Sequence, residues 1–362
     1  MNRTASSRDL TQEIGVCPLG PSRQTTHRKL TLSLAAAALF AGLTTSGALA
    51  FAGHATSGAT STFRSGMDPM TPCKVIYLSD KTGAADYLYM SGSPYTSYVP
   101  LPQMPAVDNG WGLYATKSVI YAGAAPNAIN VYKPCGSALG FSLTTAGLGA
   151  PLSIAADYSG DVYATEYGTS TIDWFSGATD HPTTTDTPRS PGLPYYLAID
   201  NVGNVYTSGW DPTNTFEQID ICTPHMASCS FCEAVPSPSW PGGVALDGSQ
   251  HLIVNNEIGS LWVYNAGCGT LDTSYVYSAS ASPTHFSFTD ITLATGENFI
   301  WGAKQFDAPQ TACPTPYCMD AQAVHYNPTF GTLGVIAPAK HTPVISGDGP
   351  GGGIAVWPPG PV

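Results

Sequence analysis

Charge is scarce in this 362-residue chain: Asp, Glu, Lys and Arg together make up 10% of it. Basic residues are the scarcest, with 13 Lys and Arg against 25 Asp and Glu and a formal net charge of −12. Such a surface repels phosphate backbones and anionic lipid heads, which excludes nucleic acid and anionic membranes as partners. No segment sustains an apolar period of three to four residues, which excludes helical bundles and wound α/β folds. There is no G-x-S-x-G elbow and no H-E-x-x-H, so the nucleophile and zinc-protease signatures are missing. The glycine run Gly347-Asp348-Gly349-Pro350-Gly351-Gly352-Gly353 lacks the Lys and the following helix of a phosphate loop. The longest apolar run, LTLSLAAAALFAGL, is too short to cross a bilayer comfortably.

That run instead reads as an export signal. His27-Arg28-Lys29 precedes it and Ser46-Gly47-Ala48-Leu49-Ala50 follows, a basic flank and an Ala-x-Ala ending with cleavage after Ala50. The expected organisation is a secretory signal peptide over 1–50, a flexible linker over 51–70 and one folded domain over 71–362. An uncleaved anchor is the alternative. No Cys follows the run where a lipid anchor would need one. A bacterial Sec-type route to the periplasm or the outside is expected. Without the leader, 8 basic residues face 23 acidic ones.

Cys17 leaves with the leader, and eight Cys remain: Cys73, Cys135, Cys222, Cys229, Cys232, Cys268, Cys313 and Cys318. An even number in an exported chain points to disulfides, whose pairing spacing alone leaves open. Cys313 and Cys318, across two prolines, are the expected local pair. Cys135 and Cys268 each follow a Val-Tyr pair at the end of a third strand and read as rim staples. Cys222, His225, Cys229 and Cys232 stand close enough to wrap zinc, but export and the even count favour disulfides.

The chain repeats. PLSIAADYSGDVYATEYGTSTIDWF from Pro151 returns as PYYLAIDNVGNVYTSGW from Pro194 and as PGGVALDGSQHLIVNNEIGSLWVY from Pro241. Each copy is strand, turn, strand, turn, strand. Asp157, Asp200 and Asp247 hold one position, where a carboxylate can bond its own downstream backbone, and Gly160 and Gly203 can supply positive φ. Weaker copies start at Gly112 and Pro283. KVIYLSD and DYLYMSG near the start lack a first strand, while PGGGIAVW at the end is a first strand with nothing after it. Pairing these ends gives an all-β fold, a six-bladed β-propeller closed by its N- and C-terminal strands, with five or seven blades as alternatives.

The D-x-x-G-x-V-Y and P-x-x-(V/I/L)-A-(I/L/A)-D patterns resemble those of NHL-type and gluconolactonase or regucalcin-like propellers and of streptogramin lyases. The resemblance spans 71–362 and is strongest over 151–264. It implies a metal at the tunnel mouth for the lactonase-like members. Asn109-Gly110-Trp111-Gly112 lacks the Glu of their E-G-P-x-W motif, and Pro241-Gly242-Gly243 stands in place of P-N-G. Tyr163-Ala164-Thr165-Glu166-Tyr167-Gly168 and Asn255-Asn256-Glu257-Ile258-Gly259 echo the lyase motif, but without a His on the same strand end.

Aligning the copies puts Asp80, Glu166, Trp210-Asp211, Asn256, Glu257 and Lys304 at the ends of second strands, where they can converge on one face. Oxygens from several blades suit Ca²⁺ or Mg²⁺, with Glu166 and Glu257 as the ligands to expect. His285 precedes a first strand and joins this candidate binding set. Trp210, Trp240 and Trp301 could form a sugar-stacking platform, with packing between blades the job expected for at least some of them. No catalytic set can be assembled, so the expected function is an exported, monomeric, non-catalytic binding or scaffold module for a small molecule, glycan or protein. A metal-dependent lactonase, esterase or lyase is the alternative.

Overall fold

The computed structural model describes residues 75–80, 86–89, 111–124, 128–134, 139–144, 149, 151–166, 171–178, 192–236, 240–257, 260–265, 267, 277–278, 288–293, 299–306, 318–327, 332–333, 340–341, 345–346 and 351–359. They all belong to one unit, 66–362. The leader, the linker, Cys73, Cys135, Cys268, His285 and Cys313 lie outside the described residues, and only the backbone is described for Asp80, Lys304 and Cys318.

The chain begins with β1 (Val75–Asp80) and β2 (Asp86–Tyr89). A second sheet follows: β3 (Leu113–Ala115), β4 (Ile120–Ala124), β5 (Ala128–Tyr132) and β6 (Leu139–Thr144). The repeat from Pro151 forms β7 (Pro151–Ala156), β8 (Val162–Glu166) and β9 (Ile172–Phe175). The next copy gives β10 (Leu193–Ile199), β11 (Val205–Trp210), β12 (Glu217–Cys222) and β13 (Cys229–Ala234). Then come β14 (Pro241–Leu246), β15 (Leu252–Asn256), β16 (Ser260–Tyr264) and β17 (Tyr277–Ser278). The copy from Pro283 gives β18 (Phe288–Leu293), β19 (Phe299–Phe306) and the ten-residue β20 (Cys318–Asn327). Three two-residue strands, β21 (Thr332–Leu333), β22 (Lys340–His341) and β23 (Ile345–Ser346), edge β20. The last strand, β24 (Gly351–Trp357), pairs antiparallel with β1, Val75 opposite Trp357 and Leu78 opposite Ile354. All pairings are antiparallel, and among the described residues no helix is long and apolar enough to cross a membrane.

β4, β7, β8, β14 and β15 are buried at every residue. Strands that are half exposed alternate; these do not, because each sheet is covered on both faces. The first sheet shows it: Val75 and Tyr77 pack with Leu113 and Ile120 of the next sheet, while Ile76 and Leu78 pack with Trp301 and Ala321 of β19 and β20. Each fully buried aliphatic side chain is worth about 1.5–3 kcal/mol. Trp301 is spent in this core, the packing role expected for at least some of these indoles, and so is not part of a stacking face. The first strands also touch in succession, β3 with β7, β7 with β10, β10 with β14, β14 with β18, β18 with β24 and β24 with β3.

Second strands latch onto the next sheet. Ser79 Oγ donates to the Trp111 carbonyl at 2.7 Å, Thr165 Oγ1 to Tyr195 at 2.5 Å, Ser208 Oγ to Gly242 at 3.0 Å and Asn255 Nδ2 to Phe288 at 2.6 Å. These four donors occupy one register position, and each latch contributes about 1 kcal/mol net. The first strands approach closely enough that Gly243 has no room for a Cβ: it would lie 2.5 Å from the Ile291 amide nitrogen.

Candidate functional site

The two ends of the sheets differ. At one end, first strands run into second strands through the aspartate turns. Asp157 Oδ1 accepts from the amides of Ser159 and Asp161, Asp200 Oδ1 from Val202 and Asn204, and Asp247 Oδ1 from Ser249 and His251. Gly160 at φ 86° and Gly203 at φ 92° take the left-handed place, which Gln250 holds at φ 67°. These aspartates build turns, as their spacing predicted. His251, opposite Glu257 along its strand, gives its Nδ1 to Asp247 Oδ2 at 2.8 Å.

At the other end lie the expected site residues. The pairings Pro151 with Glu166, Pro194 with Gly209, Pro241 with Asn256, Phe288 with Lys304 and Gly351 with Asp80 define one register position. Glu166 therefore corresponds to Asn256, while Glu257 follows one residue later. Adjacent strand positions point to opposite faces. The two glutamates accordingly have separate partners: the Gly149 amide donates to Glu166 Oε1, and the Tyr196 hydroxyl donates to Glu257 Oε1 at 3.2 Å. Asn256 is buried. Asp211 serves its own turn. Burial pushes its carboxyl up, but hydrogen bonds from Thr213, Phe216 and Thr215 outweigh that and hold it well below the usual carboxylate range. Among the described residues no three His, Cys, Asp or Glu side chains stand together.

Trp210 ends β11 and meets Trp240 edge to face, ring centres 5.3 Å apart at 87°. Trp240 is 52% exposed. An indole held on edge by a second indole presents one rigid apolar surface to solvent.

Asp290 escaped the sequence reading. It lies in β18 where Ser153, Tyr196 and Gly243 stand in other first strands, and it is 8% exposed. Its Oδ1 accepts from the Ile291 amide at 2.9 Å and its Oδ2 from the Ile354 amide at 3.2 Å, tying β18 to β24. Burial pushes the carboxyl up to about 7, the backbone bonds pull it down and the Glu257 charge adds to the rise. Asp290 lines a central cavity of about 70 Å³. Leu113, Ile154, Leu197, Val244, Ile291 and Ile354, one from each first strand, form its aliphatic wall. The signal available was an acid inside the apolar run FTDITL.

Cys222 and Cys229, directly opposite on β12 and β13, form a disulfide with an S–S distance of 2.07 Å. Cys232 is disulfide-bonded too. This overturns the zinc alternative, because the thiolates it needs are consumed. His225, in the loop the disulfide closes, instead stacks on Trp174 at 5.0 Å with its Nε2 3.5 Å from Asp161 Oδ2. Of the expected Cys313–Cys318 pair, Cys313 and the Cys318 side chain lie outside the described residues.

No family model matches the sequence, and no curated protein matches it. Among solved structures, a chain of the nidogen/laminin complex is similar with a TM-score of 0.53 at 16% identity, covering 78% of this chain and 98% of that one. The fold is a β-propeller. Two further structures lie below that level: the WD40 β-propeller domain of Doa1, with a TM-score of 0.48, 13% identity, and coverage of 64% and 72%; and a protein from Lactobacillus plantarum, with 0.48, 15%, 79% and 100%. At these identities the likeness concerns the propeller fold alone.

Proposed function

We propose that the chain is an exported propeller of six blades, closed by β24 lying beside β1, that works as a non-catalytic binding or scaffold module. Its recognition face is the end where second strands stop. The cyclic succession of first-strand contacts supports the blade count, and the Cys222–Cys229 disulfide suits an oxidising compartment outside the cytoplasm. The observation that carries the binding reading is Trp240, exposed and braced by Trp210. Aromatic surfaces of this kind serve glycans and protein partners alike. Tryptophan fluorescence titration with a panel of soluble neutral oligosaccharides, and capture on immobilised protein for macromolecular partners, tests it. Binding by the intact chain that Trp240→Ala abolishes is the expected result; binding that the substitution leaves untouched removes this face from the reading.

A hydrolase or lyase is the second reading, favoured by one observation. Asp290 sits beside a cavity with its carboxyl raised to about 7, where an acid can exchange protons at neutral pH. Turnover of a lactone or ester that disappears in Asp290→Asn would put this reading first.

A further inference from the structure

The turn end holds a second, larger cavity, of about 540 Å³, between the sheet of β3–β6 and the sheet of β7–β9. Deeper in, the two sheets are fully packed: Ile129, Val131 and Leu143 meet Ile154, Val162 and Ala164. Toward the turns they part. The register explains what is left facing the gap. Tyr114 stands opposite Tyr121, Tyr121 opposite Val131 and Val131 opposite Phe141, so one row crosses all four strands on the same face. Tyr114, Tyr121 and Phe141 from this row line the cavity, and Tyr158, from the Asp157 turn of the neighbouring sheet, lines it from the other side. Exposure rises outward, from the buried Tyr121 to Phe141 at 38% and Tyr158 at 68%.

The charges around these rings decide what fits. Asp157 and Asp200 line the cavity together with one cation, Lys117. Asp200 Oδ1 accepts two amides, its Oδ2 accepts from Asn204 Nδ2 and the Tyr206 hydroxyl, and Asp157 Oδ1 accepts two amides. Asp200 therefore offers the cavity more charge than hydrogen-bonding capacity. An anion meets two carboxylates in a chain of net charge −12. A cation that needs no hydrogen bond answers both the charge and the aromatic faces.

The geometry points to a binding site for an organic cation of the quaternary or alkylated ammonium class, held by Tyr114, Tyr121, Phe141 and Tyr158 with Asp157 and Asp200 as counter-charges. The volume falls within the range of about 300–1,000 Å³ usual for small-molecule sites, so the ammonium head can carry a further apolar group. This site lies at the opposite end of the sheets from Trp240 and stands or falls independently of the function proposed above.

The test is calorimetric titration of the full chain at low ionic strength with choline and with 3,3-dimethylbutan-1-ol, its uncharged isostere. Choline is expected to bind at least about tenfold more tightly than the alcohol. Tyr158→Ala, at an exposed turn position that leaves the fold intact, is expected to weaken choline by about threefold or more. Lys117→Ala, which removes the competing cation, is expected to tighten it, and Trp240→Ala to leave it unchanged. Equal binding of the isostere, an unchanged affinity in Tyr158→Ala, or no saturation by choline up to about 10 mM would each overturn the assignment.

Discussion

The turn end and the strand end of the same sheets are built on different rules. At the turns, Asp157, Asp200 and Asp247 make the same two amide bonds, two and four residues ahead. At the strand ends, one register position holds Asp80, Glu166, Gly209, Asn256 and Lys304 in turn. Repetition marks where every sheet has the same mechanical problem to solve. Variation marks where each sheet is free to present something of its own. Even among the turns the second oxygen shows some of that freedom: Asp200 Oδ2 receives the Tyr206 hydroxyl from its own sheet, whereas Asp247 Oδ2 receives Tyr326 from the next one at 2.6 Å.

Breaking a turn should cost most. Asp247→Ala removes two amide bonds, the His251 contact and the bridge from Tyr326 at a buried position. A loss on the order of 3 kcal/mol is expected in urea unfolding, more than for Asp200→Ala. Asp200→Ala also removes four bonds, so an equal loss would show that the inter-sheet bond from Tyr326 is worth no more than the bond from Tyr206 within one sheet.

The next effect depends on pH. Asp290 titrates near 7 when folded and near the ordinary 3.8 when unfolded, so the folded chain holds the extra proton in between. Its contribution is fully present below the unfolded value and is lost as pH rises through about 7. Thermal scans should show Tm falling between about pH 5 and about pH 8, with Asp290→Asn flattening that fall. An unchanged slope in the variant would assign the titration to another group.

Gly203→Ala forces a side chain to φ 92° and should cost about 1 kcal/mol, whereas Gln250→Gly relieves the same conformation. Gln250 Oε1 accepts from the Asn201 amide, so the second change should gain only about 0.5 kcal/mol. Matched chemical denaturation curves would compare the two. The smallest effect belongs to the strand end: Trp240→Ala should alter stability by less than about 0.5 kcal/mol while altering ligand binding, which a Tm measurement beside the fluorescence titration would separate.

The turns were legible because their chemistry is local: carboxylate, amides and glycine lie within four residues. The first three strands of each copy were legible from continuous apolar runs. Fourth strands were not. β13 is nowhere fully buried, so it carries neither an apolar run nor a clean alternation. The strand-end site was readable as a place but not as a geometry. Which face a side chain takes depends on a register where one residue reverses everything, and a bulge between Pro151 and Ser153, recurring between Pro194 and Tyr196, shifts that register. Asp290 was invisible for another reason. Its meaning comes from Ile354, far along the chain, and from burial by strands the local sequence does not contain.

The pairing of β1 with β24 gives this fold a schedule. A strand made among the first has its inner neighbour only in the last segment, the seven residues Gly351–Trp357. Five sheets can assemble from contiguous chain as it emerges, but the remaining one waits. Until those residues arrive, β1 and β2 offer an open edge, and Ser79 Oγ lacks the Gly353 amide that donates to it. Gly351–Trp357 thus act as the clock of folding: the sheet of β1 and β2 stays unfinished until they come within reach.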